Sequence, residues 1–274
     1  MSELYGFDAF SPKEIAARVE NVGMAKVRLP WLTVLMLSVL AGAFIGLGAM
    51  YFVVVRSDAT LGFALRQVLG GVVFSLGLLM VIVAGAELFT GNNLLAMAWA
   101  DGKISTGTLL RNWSIVCLGN FIGALGLALL VYLSGHPKLN GGAVGAEYLR
   151  IALVKTALPF WTAFFSGVLC NVLVCMAVWM VYAGRSVIDK VVVIVFPISA
   201  FVAAGFEHSV ANMYFIPLAM LIQQGGAGLH GGLAGWSGFF ANMLPVILGN
   251  IVGGSVLVGL VYHVIYRRER TPQD

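Results

Sequence analysis

The sequence predicts an all-α polytopic membrane protein made of two inverted halves, each carrying one broken helix. Three observations carry this. The chain is 60% hydrophobic and 10% charged, where soluble domains average about 45–50% and about 25%. Its apolar residues gather into six runs, at about 31–55, 68–100, 113–133, 157–183, 191–222 and 240–266. A pattern in the first three runs returns in the last three.

A bilayer core takes about 20 apolar residues as helix, so six runs predict six crossings. The second and fifth exceed thirty residues, and each is interrupted by a polar, glycine-bearing segment. These are Gly85-Ala86-Glu87-Leu88-Phe89-Thr90-Gly91-Asn92-Asn93 and Gly205-Phe206-Glu207-His208-Ser209-Val210-Ala211-Asn212. Cys117, Cys170 and Cys175 lie inside apolar runs without metal-ligand spacing and read as reduced packing residues. No cofactor is expected.

An even number of crossings puts both termini on one side. That side holds Lys13, Arg18, Lys26, Arg28, Lys103, Arg111, Arg185, Lys190, Arg267, Arg268 and Arg270; the other holds Arg56, Arg66, Lys138, Arg150 and Lys155. Eleven against five predicts cytoplasmic termini. Basic residues at span ends also account for the net charge of +4 without a nucleic-acid partner.

Before the first span, Ser11-Pro12-Lys13-Glu14 has the form of a capping box with proline at the first helical position. Ile15, Val19 and Val22 follow at helical spacing. A short amphipathic helix is expected there, along the membrane surface or the channel mouth. The first thirty residues lack the short apolar core and cleavage site of a signal peptide, so the N-terminus is expected to be retained. The predicted organisation is 1–29 as a cytoplasmic N-terminal helix, 30–267 as the channel domain and 268–274 as a cytoplasmic tail.

The repeat fixes how the halves are related. Val116-Cys117-Leu118-Gly119-Asn120-Phe121-Ile122-Gly123 in the third run returns as Val246-Ile247-Leu248-Gly249-Asn250-Ile251-Val252-Gly253 in the sixth, 130 residues on. The interruptions align at an offset of 120: Glu87 onto Glu207 and Asn92 onto Asn212, with the shortfall assigned to the glycine-rich stretch 225–239. A unit with an odd number of crossings must lie upside down relative to its copy, giving inverted repeats at about 30–135 and 156–267. Gly42 with Gly46, Gly119 with Gly123 and Gly249 with Gly253 are small residues four apart, suited to close helix contacts.

Non-helical backbone at membrane depth is tolerated only where it is buried or lines a cavity, so two related breaks predict one shared pore. The half-helix ends offer backbone N–H groups and partial positive charge to an anion. Glu87 and Glu207 need partners there. They are expected to accept hydrogen bonds from the N–H groups their breaks free, with Asn92 and Asn212 doing similar work. His208 is the histidine placed mid-membrane, and imidazole, with an ordinary pKa of about 6.5, can lend a proton to a weak-acid anion. Phe74 and Leu78 are four apart on one helix face, Phe201 lies seven residues before His208, and Asn171 and Val174 share a face of the fourth span. Together these predict hydrophobic collars around a polar centre.

The segments Gly85-Ala86-Glu87-Leu88-Phe89-Thr90, Leu169-Cys170-Asn171-Val172-Leu173-Val174-Cys175 and Gly205-Phe206-Glu207-His208-Ser209-Val210-Ala211-Asn212-Met213 resemble those of the formate/nitrite transporter family, and the likeness runs from about residue 10 to 268. The resemblance implies an aquaporin-like protomer, a pentamer with one pore in each protomer, and a multi-pass location in the bacterial inner membrane. It implies His208 as the central histidine, Thr90 as its gating partner, and Lys155 and Asn171 as the other polar residues of the path. It assigns Phe74, Val174 and Phe201 to a periplasmic constriction and Leu78 with Leu88 to a cytoplasmic one, and it links the N-terminal helix to gating.

Phe74-Ser75-Leu76-Gly77-Leu78 and Phe206-Glu207-His208-Ser209 resemble the formate branch, whereas Gly91-Asn92-Asn93 after Thr90 departs from the hydroxyl residue typical of it. The expectation is a channel for small monovalent anions, formate first, with pH-dependent permeation. Nitrite or hydrosulfide is the nearest alternative. A neutral-solute channel shares the broken-helix plan, but the chain lacks paired Asn-Pro-Ala signatures, and a redox-enzyme anchor would need a haem or metal ligand set. No enzymatic activity is expected.

Overall fold

The computed structural model describes residues 9–225 and 235–267. Most of the stretch 225–239, the tail 268–274, Arg268, Arg270 and His230 therefore lie outside the described residues. Helix α1 (Pro12–Val27) starts as the sequence predicts: the Ser11 hydroxyl accepts from Glu14 N–H, the Glu14 carboxylate accepts from Ser11 N–H at 2.8 Å, and Pro12 takes the first position. Its apolar stripe does not face a surface. Ile15, Ala16 and Val19 are buried with Leu94, Met97 and Trp179 in one cluster, so α1 is docked against the helices.

Helices α2 (Trp31–Arg56), α3 (Phe63–Phe74) and α4 (Leu76–Val83) follow, α3 and α4 forming one crossing kinked at Ser75. The Ser75 hydroxyl bonds back to Gly71 C=O at 3.2 Å, and its amide reaches Val72 C=O rather than Gly71. After the first break come a 3₁₀ turn (Gly91–Leu95), α5 (Ala96–Ala100) and α6 (Thr106–Leu133). The second half comprises α7 (Ala143–Thr156), α8 (Phe160–Val181), α9 (Val187–Ala203), the second break, α10 (Ser209–Gln224), α11 (Trp236–Ile251), a π-helical stretch (Val252–Leu260) and α12 (Val261–Tyr266).

Among the described residues, five helices are long and apolar enough to cross a membrane alone. The remaining crossing is shared by α9 and α10, of 17 and 16 residues, on either side of their break. Large apolar side chains such as Leu118, Ile122, Leu130, Phe165, Phe196 and Leu244 stay exposed on the outside, as a lipid-facing bundle requires.

The halves pack alike. A methyl group on Gly42 would strike Asn120 C=O and one on Gly123 would strike Val39 C=O; in the second half, Gly249 and Gly253 meet the carbonyls of Phe164 and Val168 in the same way. Helix backbones thus touch where no side chain fits, α2 on α6 and α8 on α11. Two elements were not anticipated. Helix α7 carries Glu147, Arg150 and Lys155 and is too polar to stand out as a span. The π stretch has no counterpart in α6, which is one regular helix, although the two segments match in sequence.

Candidate functional site

Each break begins the same way. Helix α4 ends with Gly85 at φ +80° and Ala86 N–H bonding back to Val81 C=O at 2.9 Å; α9 ends with Gly205 at φ +73° and Phe206 N–H bonding back to Phe201 C=O at 3.0 Å. Only glycine takes this left-handed position without strain. The chain then leaves the helix axis, carrying Glu87 and Glu207 into the interior.

The carboxylates are not satisfied by freed backbone N–H groups, contrary to expectation. Lys26 Nζ stands 3.1 Å from Glu87 Oε1, and Asn92 Nδ2 donates to Glu87 Oε2 at 2.7 Å and to Asn112 Oδ1 at 3.0 Å. Lys155 Nζ stands 2.7 Å from Glu207 Oε1, and Asn212 Nδ2 donates to Glu207 Oε2 at 2.6 Å and to Asn242 Oδ1 at 2.7 Å. The break backbones are held instead by Asn120 and Asn250. Asn120 donates to Glu87 C=O and Ser38 C=O and accepts from Phe89 N–H; Asn250 donates to Glu207 C=O and Gly167 C=O and accepts from Ser209 N–H. A buried carboxylate needs a cation and hydrogen bonds together. The freed amides went to neutral acceptors, Phe89 and Ser209 N–H to the asparagines, Glu87 N–H to Leu37 C=O and Glu207 N–H to Ser166 Oγ, which cost less to bury.

Lys26, Asn112, Asn120, Asn242 and Asn250 were missed as network members. A signal existed: Asn112 and Asn242, like Asn120 and Asn250, are polar residues 130 apart, at the start of or inside the third and sixth apolar runs.

The two breaks meet at Thr90 and His208. His208 caps α10, its Nδ1 accepting from Ala211 N–H at 3.2 Å, while Nε2 lies 3.1 Å from Thr90 Oγ1. With Nδ1 accepting, the proton of the neutral ring sits on Nε2, which donates to the threonine oxygen. Phe201 stacks on the imidazole, ring centroids 5.8 Å apart at 19°. Their closeness does not come from two turns of one helix, since α9 stops at Ala203; the break folds His208 back over Phe201.

A cavity approaches this contact from each face. On the α1 side, about 50 Å³ is lined by Leu78, Leu88, Val19, Lys26 and Asn92 among others, and a wider cleft of about 530 Å³ shares Lys26, Val81 and Ile82. On the opposite side, about 180 Å³ is lined by Phe74, Phe201, His208, Lys155, Arg56 and Arg150 among others. Phe74 and Leu78, four apart, thus face different cavities across the Ser75 kink. Val174 is buried in the same core cluster as Phe74 and Phe201, on neither cavity wall. Asn171 also lies off both cavities, its Nδ2 bonding the carbonyls of Thr90 and Asn250 at 3.2 and 2.6 Å. Among the described residues no group of histidines, cysteines and carboxylates could hold a metal ion.

Duplicated broken-helix crossings, with a cavity on each side of one buried polar contact, define a membrane channel or transporter. The family profile Formate/nitrite transporter matches residues 13–264. The formate channel FocA of Escherichia coli K12 is 39% identical over 275 residues, covering 96% of this chain and 96% of that protein. FocA of Haemophilus influenzae is 38% identical, covering 92% and 93%. A solved structure of a pentameric formate channel with formate bound superposes with a TM-score of 0.79 at 37% identity, covering 86% of this chain and 97% of that one. The chain belongs to the formate/nitrite transporter family, whose members are transport proteins rather than enzymes.

Proposed function

We propose that this protein is a formate channel with one pore in each protomer, working as a pentamer like the relative solved with formate bound. Both termini and the α1 face lie in the cytoplasm on this reading, in keeping with the eleven-to-five excess of lysine and arginine there. On the same reading 30–267 is the channel domain and 1–29 the cytoplasmic segment that carries α1, with 268–274 outside the described residues.

The observation that carries the reading is the Thr90–His208 contact of 3.1 Å between two cavities. A bare anion pays heavily to cross the apolar ring of Phe74 and Phe201, with Val174 packed in the core behind them, on one side and Leu78 with Leu88 on the other. Lys155 draws formate into the outer cavity, where His208 Nε2–H exchanges its threonine acceptor for the formate oxygen. A proton arriving from solvent then lets the acid pass uncharged, so flux rises as pH falls. Asn171 acts from behind, holding the Thr90 carbonyl. Glu87, Glu207, Asn92 and Asn212 keep the breaks in shape.

Formate flux into proteoliposomes, measured over a range of pH for the wild type and for His208→Ala, tests this. Loss of both rate and pH response in the variant supports it; an unchanged profile overturns the role of His208. Competing uptake of nitrite and hydrosulfide in the same vesicles tells formate from its nearest alternatives, and osmotic shrinkage tells it from a neutral solute.

A further inference from the structure

Behind Thr90 lies a cluster that the path itself does not use. Asn171 Nδ2 has two hydrogens and three acceptors: Asn250 C=O at 2.6 Å, Asn93 Oδ1 at 2.7 Å and Thr90 C=O at 3.2 Å. The shortest two take the hydrogens, and the Thr90 carbonyl keeps the long contact. Its other donor, Cys175 Sγ at 3.3 Å, is a weak one.

Asn93 is locked in this competing position. It is fully buried, and its carbonyl accepts from Ser255 Oγ at 3.0 Å, on the π stretch of the sixth span. A Cβ on Gly254 of the same stretch would collide with Asn171 Nδ2 and come within 2.9 Å of Asn93 Cβ, so the π stretch brings its backbone against both amides. Turning the Asn93 amide over would set N–H against N–H. Held as it is, Asn93 leaves its own Nδ2 buried without a partner among the described residues. A buried donor left unpaired is costly, and packing against the π stretch holds it there.

We propose that Asn93 is a positioning residue for permeation: by taking an Asn171 proton it keeps the Thr90 carbonyl loosely held, so that the Thr90–His208 contact can open and close. This rests on reading that contact as the point the permeant passes.

Replacing Asn93 by leucine, which has the same number of side-chain heavy atoms but more bulk, removes both the competing acceptor and the orphan donor. Asn171 then gives one hydrogen each to Asn250 and Thr90, and the threonine is held tight against His208. The whole chain is reconstituted in vesicles for formate flux and labelled with [15N]histidine for solid-state NMR, the His208 signal being assigned by its loss in His208→Phe. In Asn93→Leu the maximal flux is expected to fall about fivefold, the worth of one net hydrogen bond. The half-saturating concentration stays unchanged, the melting temperature stays equal or rises, and the Nε2–H resonance shifts toward a stronger hydrogen bond.

A mere packing role would lower the melting temperature and leave the resonance in place, and that result overturns the proposal, as does wild-type flux with an unmoved resonance. Asn93→Ala removes the same acceptor without the bulk; because its cavity lowers the melting temperature by itself, it is read on flux and on the Nε2–H resonance alone if the leucine variant does not assemble. If the wild type carries no formate, the channel reading fails, while the resonance still decides whether Asn93 positions Thr90.

Discussion

Lys26 and Lys155 hold equivalent places in the two halves: each reaches the carboxylate of its own break, at 3.1 Å for Glu87 and 2.7 Å for Glu207. The equivalence extends the repeat beyond the membrane spans, because Lys26 belongs to α1 and Lys155 to α7. The helix at the mouth and the connecting helix of the second half are thus counterparts, each supplying the cation that its break needs.

Removing either lysine strands a buried carboxylate. Lys155→Met is expected to cost about 3 kcal/mol, and Lys26→Met less, since the Lys26 side chain is 25% exposed against 14%. Thermal unfolding of the purified protein checks this. Adding Glu207→Gln to Lys155→Met should recover most of the loss; no recovery would mean that the pair does not hold the break.

Asn120→Leu and Asn250→Leu should destabilise to similar extents, by about 2 kcal/mol each, because each leaves one N–H and one carbonyl of its break unpaired and removes a second bond to a helical carbonyl. Unfolding midpoints of the two variants, measured side by side, give the comparison. A large inequality would show that the halves do not share the load equally.

Gly123→Ala should prevent assembly or lower the melting temperature sharply, since its methyl runs into the Val39 carbonyl. Gly126→Ala, three residues on in the same helix with no atom within 4 Å of its new methyl, should be neutral or gain about 0.5–1 kcal/mol from helix propensity. Expression and melting temperature of both variants separate helix contact from composition.

Glu14 is held below the ordinary carboxylate range by the Ser11 hydroxyl and then by the Ser11 amide. A depressed folded value means that this cap supports α1 above the unfolded pKa and loses its support as pH falls through the folded one. The protection of amides in the first turn of α1, exchange being compared with its intrinsic rate at each pH, should therefore fall in acid. Ser11→Ala should raise exchange at neutral pH and flatten the pH response; the wild-type response in that variant would remove the cap as its cause.

Much of this was legible in the sequence. The six crossings, the two breaks and their glycines, the capped helix at the mouth and the pairing of Glu87 with Glu207 follow from apolar run length and from a repeat that includes polar residues. The lysine partners of those glutamates were not legible, because Lys26 lies 61 residues from Glu87 and Lys155 lies 52 from Glu207. Nothing local says that α1 docks against the helices rather than lying on a surface. The approach of Phe201 to His208 was expected from helical spacing and is achieved by a fold-back instead. The π stretch escaped notice because Gly253-Gly254-Ser255 fits a regular helix as well on paper; its contacts with Asn93 and Asn171 exist only in the assembled bundle.

The duplicated ties around the breaks also make the molecule its own control. A change to one asparagine or lysine can be read against the same change in the other half, in the same bilayer and the same preparation. What the two then share belongs to the scaffold. What differs must come from features present once, of which Thr90, His208 and the π stretch are the chief, and function can be sorted from architecture without a second protein.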